Sequence, residues 1–414
     1  MGNTTKSKWL AIIGPGLLVA ATGVGAGDLA TGAFSGSALG PAVLWAVLVG
    51  SFLKYVLSEG LARFQLSTGE TLLEGALSRS PAGLRWLFLL YLLPWSWFVG
   101  SALIRACGAT AQAAVPILGD GPNGALVWGA VHSMLGLTLV WRGGYALFEK
   151  LMGVAVGIMF VTVVWTAIAL GFDGQEVLRG LFIPSLPDAG GEGFAWTLAL
   201  MGGVGGTLTL LCYGYWIREE GRTGPEHLGL CRLDLALGFT VTAIFGVAMV
   251  LIGSRVETTG KGAGLIVDLA NELENELGTG ARWAFLIGAW GAVFSSLVGV
   301  WQAVPYIFAD FWRLRGGRSG AQTSAVDTSG RPYRGYMLAL ALVPLLAYST
   351  SFKQAQKAYA VVGVAFLPLL ALSLLWLNRE CFVGADHKNR WPAGLALLFT
   401  LAFFLIAGAM RITS

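Results

Sequence analysis

The residue whose chemistry organises the chain is Asp28, in the run Thr22-Gly23-Val24-Gly25-Ala26-Gly27-Asp28-Leu29-Ala30-Thr31. The flanking sequence reads as a membrane-spanning helix, and a carboxylate at that depth is costly and needs a partner. Glycines at every second position are poor helix formers, so the helix is expected to open about halfway across the bilayer. Opened backbone in hydrocarbon is tolerated only where protein buries it or where it lines a wet cavity. A second interruption of similar make-up is Met201-Gly202-Gly203-Val204-Gly205-Gly206-Thr207. Half-helices that begin at a gap offer N–H groups to anions, and those that end there offer carbonyls to cations. Asp28, Gly25, Thr22, Thr31, Gly203, Gly206, Thr207 and Thr209 are the candidate lining residues, with Gln302 as an amide in a later apolar run. Asp28 has two open readings: a ligand or coupling group, or an N-cap of the second half-helix. Close helix contact is the bland reading of the glycines, back-bonding that of the threonines, and an interhelical hydrogen bond that of Gln302.

The elements that must position these groups follow from composition. The chain has 414 residues, 55% hydrophobic and 12% charged, with mean hydropathy +0.69. A soluble domain carries about twice that share of charge, so the chain is expected to be an all-α polytopic membrane protein. A span takes about 20 apolar residues. Eleven are expected, at about 10–34, 41–64, 84–113, 123–141, 149–172, 194–217, 232–254, 281–308, 333–350, 355–377 and 391–411. The first is read as uncleaved, preceded by a short tail, 1–9. Segment 262–277 is too short and too charged to span and is expected as a surface helix. The loop 314–332 is polar. With the N-terminus in the cytoplasm, 18 basic residues fall on that side and 7 on the other. That bias orients the chain in the cell membrane, with an outside C-terminus.

Five spans separate the starts of the two interrupted helices, so those helices run in opposite directions. Residues 10–172 and 194–377 then form a 5+5 inverted repeat with helices 1 and 6 broken, and 391–414 supplies an extra helix 11. Paired glycine-interrupted spans point to a secondary-transporter site. Arg105 in span three needs a carboxylate, and Glu59 or Asp234 is its expected partner, as a coupling pathway or as a fixed ion pair. Lys54 and Glu59 in span two are expected to snorkel or to face a vestibule, and Tyr213, Tyr215 and Trp216 to form an interfacial belt. Arg218, Glu219, Glu220 and Arg222 read as a solvated face or a gate, and His132 as a core histidine. The four cysteines, Cys107, Cys212, Cys231 and Cys381, form no Cys-x-x-Cys pair and read as small core residues. The basic residues are scattered over short loops, which excludes nucleic-acid binding. No His/Glu metal triad or Ser–His pair marks an intramembrane enzyme, and no cofactor is implied.

At these positions the chain resembles the Nramp family, the proton-coupled divalent-metal transporters of the leucine-transporter fold. Gly14-Pro15-Gly16 matches the family's opening, and Gly25-Ala26-Gly27-Asp28-Leu29-Ala30-Thr31 sits in register with its first-helix Asp-Pro-Gly-Asn-Phe-Ala-Thr. Leu61-Ala62-Arg63, Thr68-Gly69-Glu70-Thr71-Leu72-Leu73-Glu74 and Phe294-Ser295-Ser296 resemble further family stretches. The resemblance implies a metal cargo held by Asp28, with protons as a coupling ion. The chain departs where the family binds its metal. Gly25 replaces the first-helix Asp, Asp28 replaces the Asn, and the span-six Met-Pro-His is absent. A missing thioether weakens preference for soft transition metals. Hard oxygen ligands suit magnesium or manganese. The expectation is an alternating-access transporter of altered metal selectivity. A carrier of a small organic or anionic solute is the alternative, and a non-transporting membrane sensor a weaker one.

Overall fold

A computed structural model describes residues 14–117, 122–188, 192–255, 264–315, 326–346 and 352–413. The expected tail 1–9, the start of span one and most of the 314–332 loop lie outside them. The helices are α1 (Pro15–Gly23), a π-helical segment (Val24–Thr31), α2 (Gly32–Leu39), α3 (Leu44–Thr68), α4 (Leu72–Ser78), α5 (Ala82–Ala114), α6 (Pro122–Ala169), α7 (Gly174–Phe182), α8 (Glu192–Gly203), α9 (Cys212–Glu219), α10 (Leu228–Ser254), α11 (Gly264–Leu277), α12 (Thr279–Leu314), α13 (Arg331–Leu342), α14 (Phe352–Val364), α15 (Phe366–Leu377), α16 (Glu380–Val383) and α17 (Trp391–Thr413).

Among the described residues, eight helical stretches are long and apolar enough to cross a membrane. They are Asp28–Thr68, Ala82–Ala114, Asn123–Tyr145, Leu147–Ala169, Glu192–Glu219, Pro225–Ser254, Thr279–Leu314 and Gln354–Leu377. Large apolar side chains such as Leu90, Val161 and Ile168 point outward from them, as helices solvated by hydrocarbon require. Gly40 (φ +65°) separates α2 from α3, and Gly144 (φ +60°) interrupts α6. In the region expected as span nine, α13 continues as a 3-10 turn, Val343–Leu346, and residues 347–350 lie outside the described residues. The segment expected on the surface forms α11, with Ile266, Leu269, Ala270 and Leu273 buried and the helix resting on α12 and α5.

Two layers of packing hold the candidate site. On one side α10 lies against α1, α2 and α3; on the other, α12 lies against α6, α5, α1 and the π segment. The α2–α10 crossing is close because glycines form it: a Cβ on Gly253 would lie 2.7 Å from the Ala33 Cα. Small residues at such crossings let backbones meet where water-driven burial is unavailable. The largest buried side chains include Trp95, Trp216, Trp301 and Tyr213.

Candidate functional site

The two glycine runs meet in the interior, but they take different forms. α8 stops at Gly203, the chain turns through Gly205 (φ +71°) and Gly206 (φ +83°), and a 3-10 turn, Leu208–Leu211, leads into α9. Both glycines occupy the left-handed region that side chains disfavour. Span one does not unwind. Its α-helix widens into the π-helical segment, which keeps backbone hydrogen bonds while adding a residue to the turn. Asp28 therefore sits inside a helix and is no N-cap. The two stretches are in backbone contact: a Cβ on Gly23 would lie 2.8 Å from the Gly205 Cα.

Two opposite charges satisfy the groups freed by the break. The Gly205 N–H donates to the Asp28 carboxylate, 3.1 Å from Oδ1 and 3.4 Å from Oδ2. The Lys54 ammonium donates to the carbonyls of Gly202 (2.8 Å), Val204 (2.6 Å) and Gly206 (2.5 Å). Asp28 is 0% exposed and Lys54 1%. Lys54 thus does not snorkel or line a vestibule; it points from α3 into the carbonyl end of the broken helix. Three protons on an ammonium match three free oxygens, which is why a lysine is tolerated at this depth.

The other expected lining residues surround this pair. The Gly25 N–H donates to Ser296 Oγ (2.7 Å), whose hydroxyl donates to the Ala21 carbonyl (2.8 Å). Thr22 Oγ1 bonds back to the Leu18 carbonyl. Thr31 Oγ1 accepts from Gln356 Nε2 (2.9 Å) and Thr207 Oγ1 from Trp95 Nε1 (3.2 Å). Thr209 Oγ1 and, beside Gly205, Thr242 Oγ1 are buried without a hydrogen-bond partner among the described residues. Gln302 makes one interhelical bond instead, accepting from Trp216 Nε1 of α9 (2.8 Å), and within α12 it donates to Tyr306 OH (3.3 Å). Lys54, Ser296, Gln356 and Trp95 were missing from the expected site. A lysine inside the apolar run Leu53-Lys54-Tyr55-Val56 was the available signal; the others resemble ordinary interhelical polar residues.

The coupling residues expected to work together lie in separate clusters. Arg105 is half-buried on α5. Glu59 is held by Arg232 (2.8 Å) and Arg63 (3.3 Å). Asp234 accepts from Arg222 (2.9 Å), the Gly16 N–H (2.8 Å) and Tyr213 OH (3.3 Å). Arginines on α3, on α10 and in the loop after α9 answer these carboxylates in place of Arg105.

A buried ionic cluster closes the end of the molecule that holds α4. Glu74 accepts from Arg218 (2.6 Å), from Arg313 and from the Thr71 N–H (2.6 Å). Asp310 accepts from Arg313 (2.6 Å), Tyr215 OH (2.9 Å) and Thr71 Oγ1 (3.2 Å). Burial alone pushes the Glu74 carboxyl up, but the Arg218 hydrogen bond and charge, the Thr71 N–H and Arg313 together hold it below the usual carboxylate range. Tyr213 and Tyr215 are buried parts of these networks and Trp216 is buried against Gln302, so the three do not form an interfacial belt. His132 bonds Trp290 Nε1 (2.9 Å) and the Trp128 carbonyl (2.7 Å), as a core histidine.

Among the described residues no group of three or more His, Cys, Asp or Glu could hold a metal. Any ion at the break would rely on Asp28, hydroxyls and carbonyls. An apolar cavity of about 620 Å³ lies between α4, α5 and α15, lined by Leu72, Leu84, Phe88 and Leu370, apart from Asp28.

The sequence model of the family described as natural resistance-associated macrophage protein-like, Nramp, matches residues 16–413. A divalent metal cation transporter MntH of Verminephrobacter eiseniae is 25% identical, covering 96% of this chain and 87% of its own. The metal transporter Nramp6.1 of Populus trichocarpa is 24% identical over 97% of this chain and 80% of its own. For the MntH of Chromohalobacter salexigens the identity is 26% over 62% of this chain and 59% of the relative. The Eremococcus coleocola manganese transporter superposes with TM-score 0.74 at 16% identity, covering all of this chain and 88% of that one. MhsT, solved with L-phenylalanine, gives 0.65 at 17% identity over 96% and 97% of the two chains. The all-helical architecture with its interrupted sixth span is thus leucine-transporter-like, and this membrane transporter chain belongs to the Nramp family.

Proposed function

We propose that the chain is a secondary transporter working by alternating access. Its cargo in this reading is a divalent metal ion, bound between the π segment and the α8–α9 break. The observation that carries the reading is the fully buried Asp28 carboxylate against the interrupted backbone at Gly205. The curated relatives named as metal transporters support the cargo class. Selectivity is altered toward magnesium or manganese, because the groups lining the break are oxygens, and oxygen donors suit hard ions that keep part of their water. The lining residues are Asp28, Gly25, Thr22, Thr31, Gly203, Gly206, Thr207 and Thr209, with Asp28 as the metal ligand; Gln302 braces Trp216 beside them. Protons serve as the coupling ion, through ionisable residues outside the break: Arg105, Glu59 and Asp234. The N-terminus is cytoplasmic and the C-terminus outside.

The test is flux into liposomes. Manganese, magnesium and calcium uptake by the wild-type chain is compared with Asp28→Ala, which is expected to lose at least tenfold in rate. Equal rates would clear Asp28 of a ligand role, and absence of flux for every divalent ion would end the metal reading. Cysteines at Glu272 in α11 and Ser329 before α13 should label from opposite faces of the membrane; labelling from one face would refute the orientation.

One observation favours the second reading, a small organic or anionic solute. Lys54 brings a positive charge into the break, and an ammonium welcomes a carboxylate. Uptake of anionic solutes alongside an absence of metal flux would favour it.

A further inference from the structure

We infer that Lys54 is a tethered cation occupying the cargo's own seat, so that a metal ion enters only by displacing it. The inference rests on the metal-transport reading above and adds the residue that sets access and selectivity.

Three observations carry it. The Lys54 ammonium uses the Gly202, Val204 and Gly206 carbonyls at 2.5–2.8 Å. These are the oxygens that a helix ending in mid-membrane leaves free, where half-helix C-terminal ends coordinate cations. The Asp28 carboxylate is anchored on Gly205, within the same five-residue stretch, 202–206. The carbonyl oxygens and the carboxylate that would hold a metal are therefore already matched by a resident positive charge. Finally, Thr209 and Thr242 hydroxyls at the break lack partners among the described residues. These are spare oxygens beside a seat whose carbonyls are taken.

Lys54 reaches the break on a four-carbon stem from a different helix, so the ammonium can withdraw without unwinding α8 or α9. Exchange of one cation for another keeps Asp28 compensated throughout, where a bare vacancy would leave a buried carboxylate unpaired. The resident ammonium also raises the threshold for entry. A monovalent ion gains little over it, while a divalent ion replaces one charge by two against the same oxygens.

The test measures Mn²⁺ binding to the purified full-length chain by calorimetry, for wild type, Lys54→Met and Lys54→Gln. Removing the tethered charge is expected to tighten Mn²⁺ binding at least tenfold in both variants. Lys54→Gln keeps donors for the carbonyls, and thermal melting of each variant verifies that it is folded. In the wild-type chain, saturating Mn²⁺ should increase acylation of Lys54 by an amine-specific reagent, read by mass spectrometry, since displacement exposes the amine. Equal or weaker Mn²⁺ binding in the folded variants, or acylation unchanged by Mn²⁺, overturns the inference. If wild type still carries Mn²⁺ into liposomes, the transport reading survives that failure. Absence of Mn²⁺ binding in all three chains, with no flux, overturns both.

Discussion

Gly23→Val is expected to abolish the packed state around the break. A Cβ at Gly23 would meet the backbone of Gly205 and Gly206, not a movable side chain, so one of the two helices has to shift. Overpacking a tight interior costs about 1–3 kcal/mol where side chains can yield, and a backbone obstacle lies at or above that range. The companion change, Gly205→Val, adds the left-handed conformation, itself about 1–3 kcal/mol for a residue with a side chain. Its Cβ would also lie 2.9 Å from the Phe239 ring. Both variants should show a lower melting temperature in detergent and transport at background level. The control is Gly153→Val, a glycine on α6 where a Cβ would meet nothing; it should leave melting and flux unchanged. Wild-type melting in Gly23→Val would refute the contact between the two glycine runs.

The second large effect is expected at Glu74. Its carboxylate joins Arg218, Arg313 and the Thr71 N–H, so Glu74→Ala leaves two guanidinium groups facing each other without their shared anion. Breaking a buried pair by removing one partner costs about 3–5 kcal/mol. Arg313 is about a third exposed, so solvent screening brings the expected cost toward the lower end. The readout is a lower melting temperature than wild type in detergent at pH 7. The pH dependence has a defined sign. Because the Glu74 carboxyl is held below its usual range, its contribution is fully present at neutral pH. It fades only as the pH falls below the unfolded carboxylate value and through the lower folded one. A melting temperature of Glu74→Ala equal to wild type at pH 7 would show that the cluster does not hold this end closed.

Much of this could be read from residue order because membrane folds obey few rules. Long apolar runs gave the class, the odd separation of the glycine runs gave opposed directions, and the charges of 262–277 removed that segment from the spans and put it on α11. What stayed hidden depended on partners far apart in the chain. Asp28 was legible as the key carboxylate, but not that it would accept from Gly205, 177 residues away. Lys54 read as a snorkelling residue because its sequence neighbours are apolar; its carbonyl partners lie 148 to 152 residues on. Arg105 needs a partner because it lies within a span, and Glu59 and Asp234 were the carboxylates expected for it; Arg63, Arg232 and Arg222 hold them instead. Nor could spacing distinguish an unwound helix from a widened one: glycine permits both, and the neighbouring backbone of Gly205 decides.

That widened turn has a mechanical consequence. A π-helical segment stores one surplus residue relative to ordinary α-helix. Returning it to α-helical winding would advance everything beyond it by a single position, about 100° of rotation at 3.6 residues per turn. The stored residue works like slack on a winch drum. Such rewinding would turn Asp28 away from the interrupted backbone at Gly205 while helix one keeps its own ladder of bonds out of the surrounding oil.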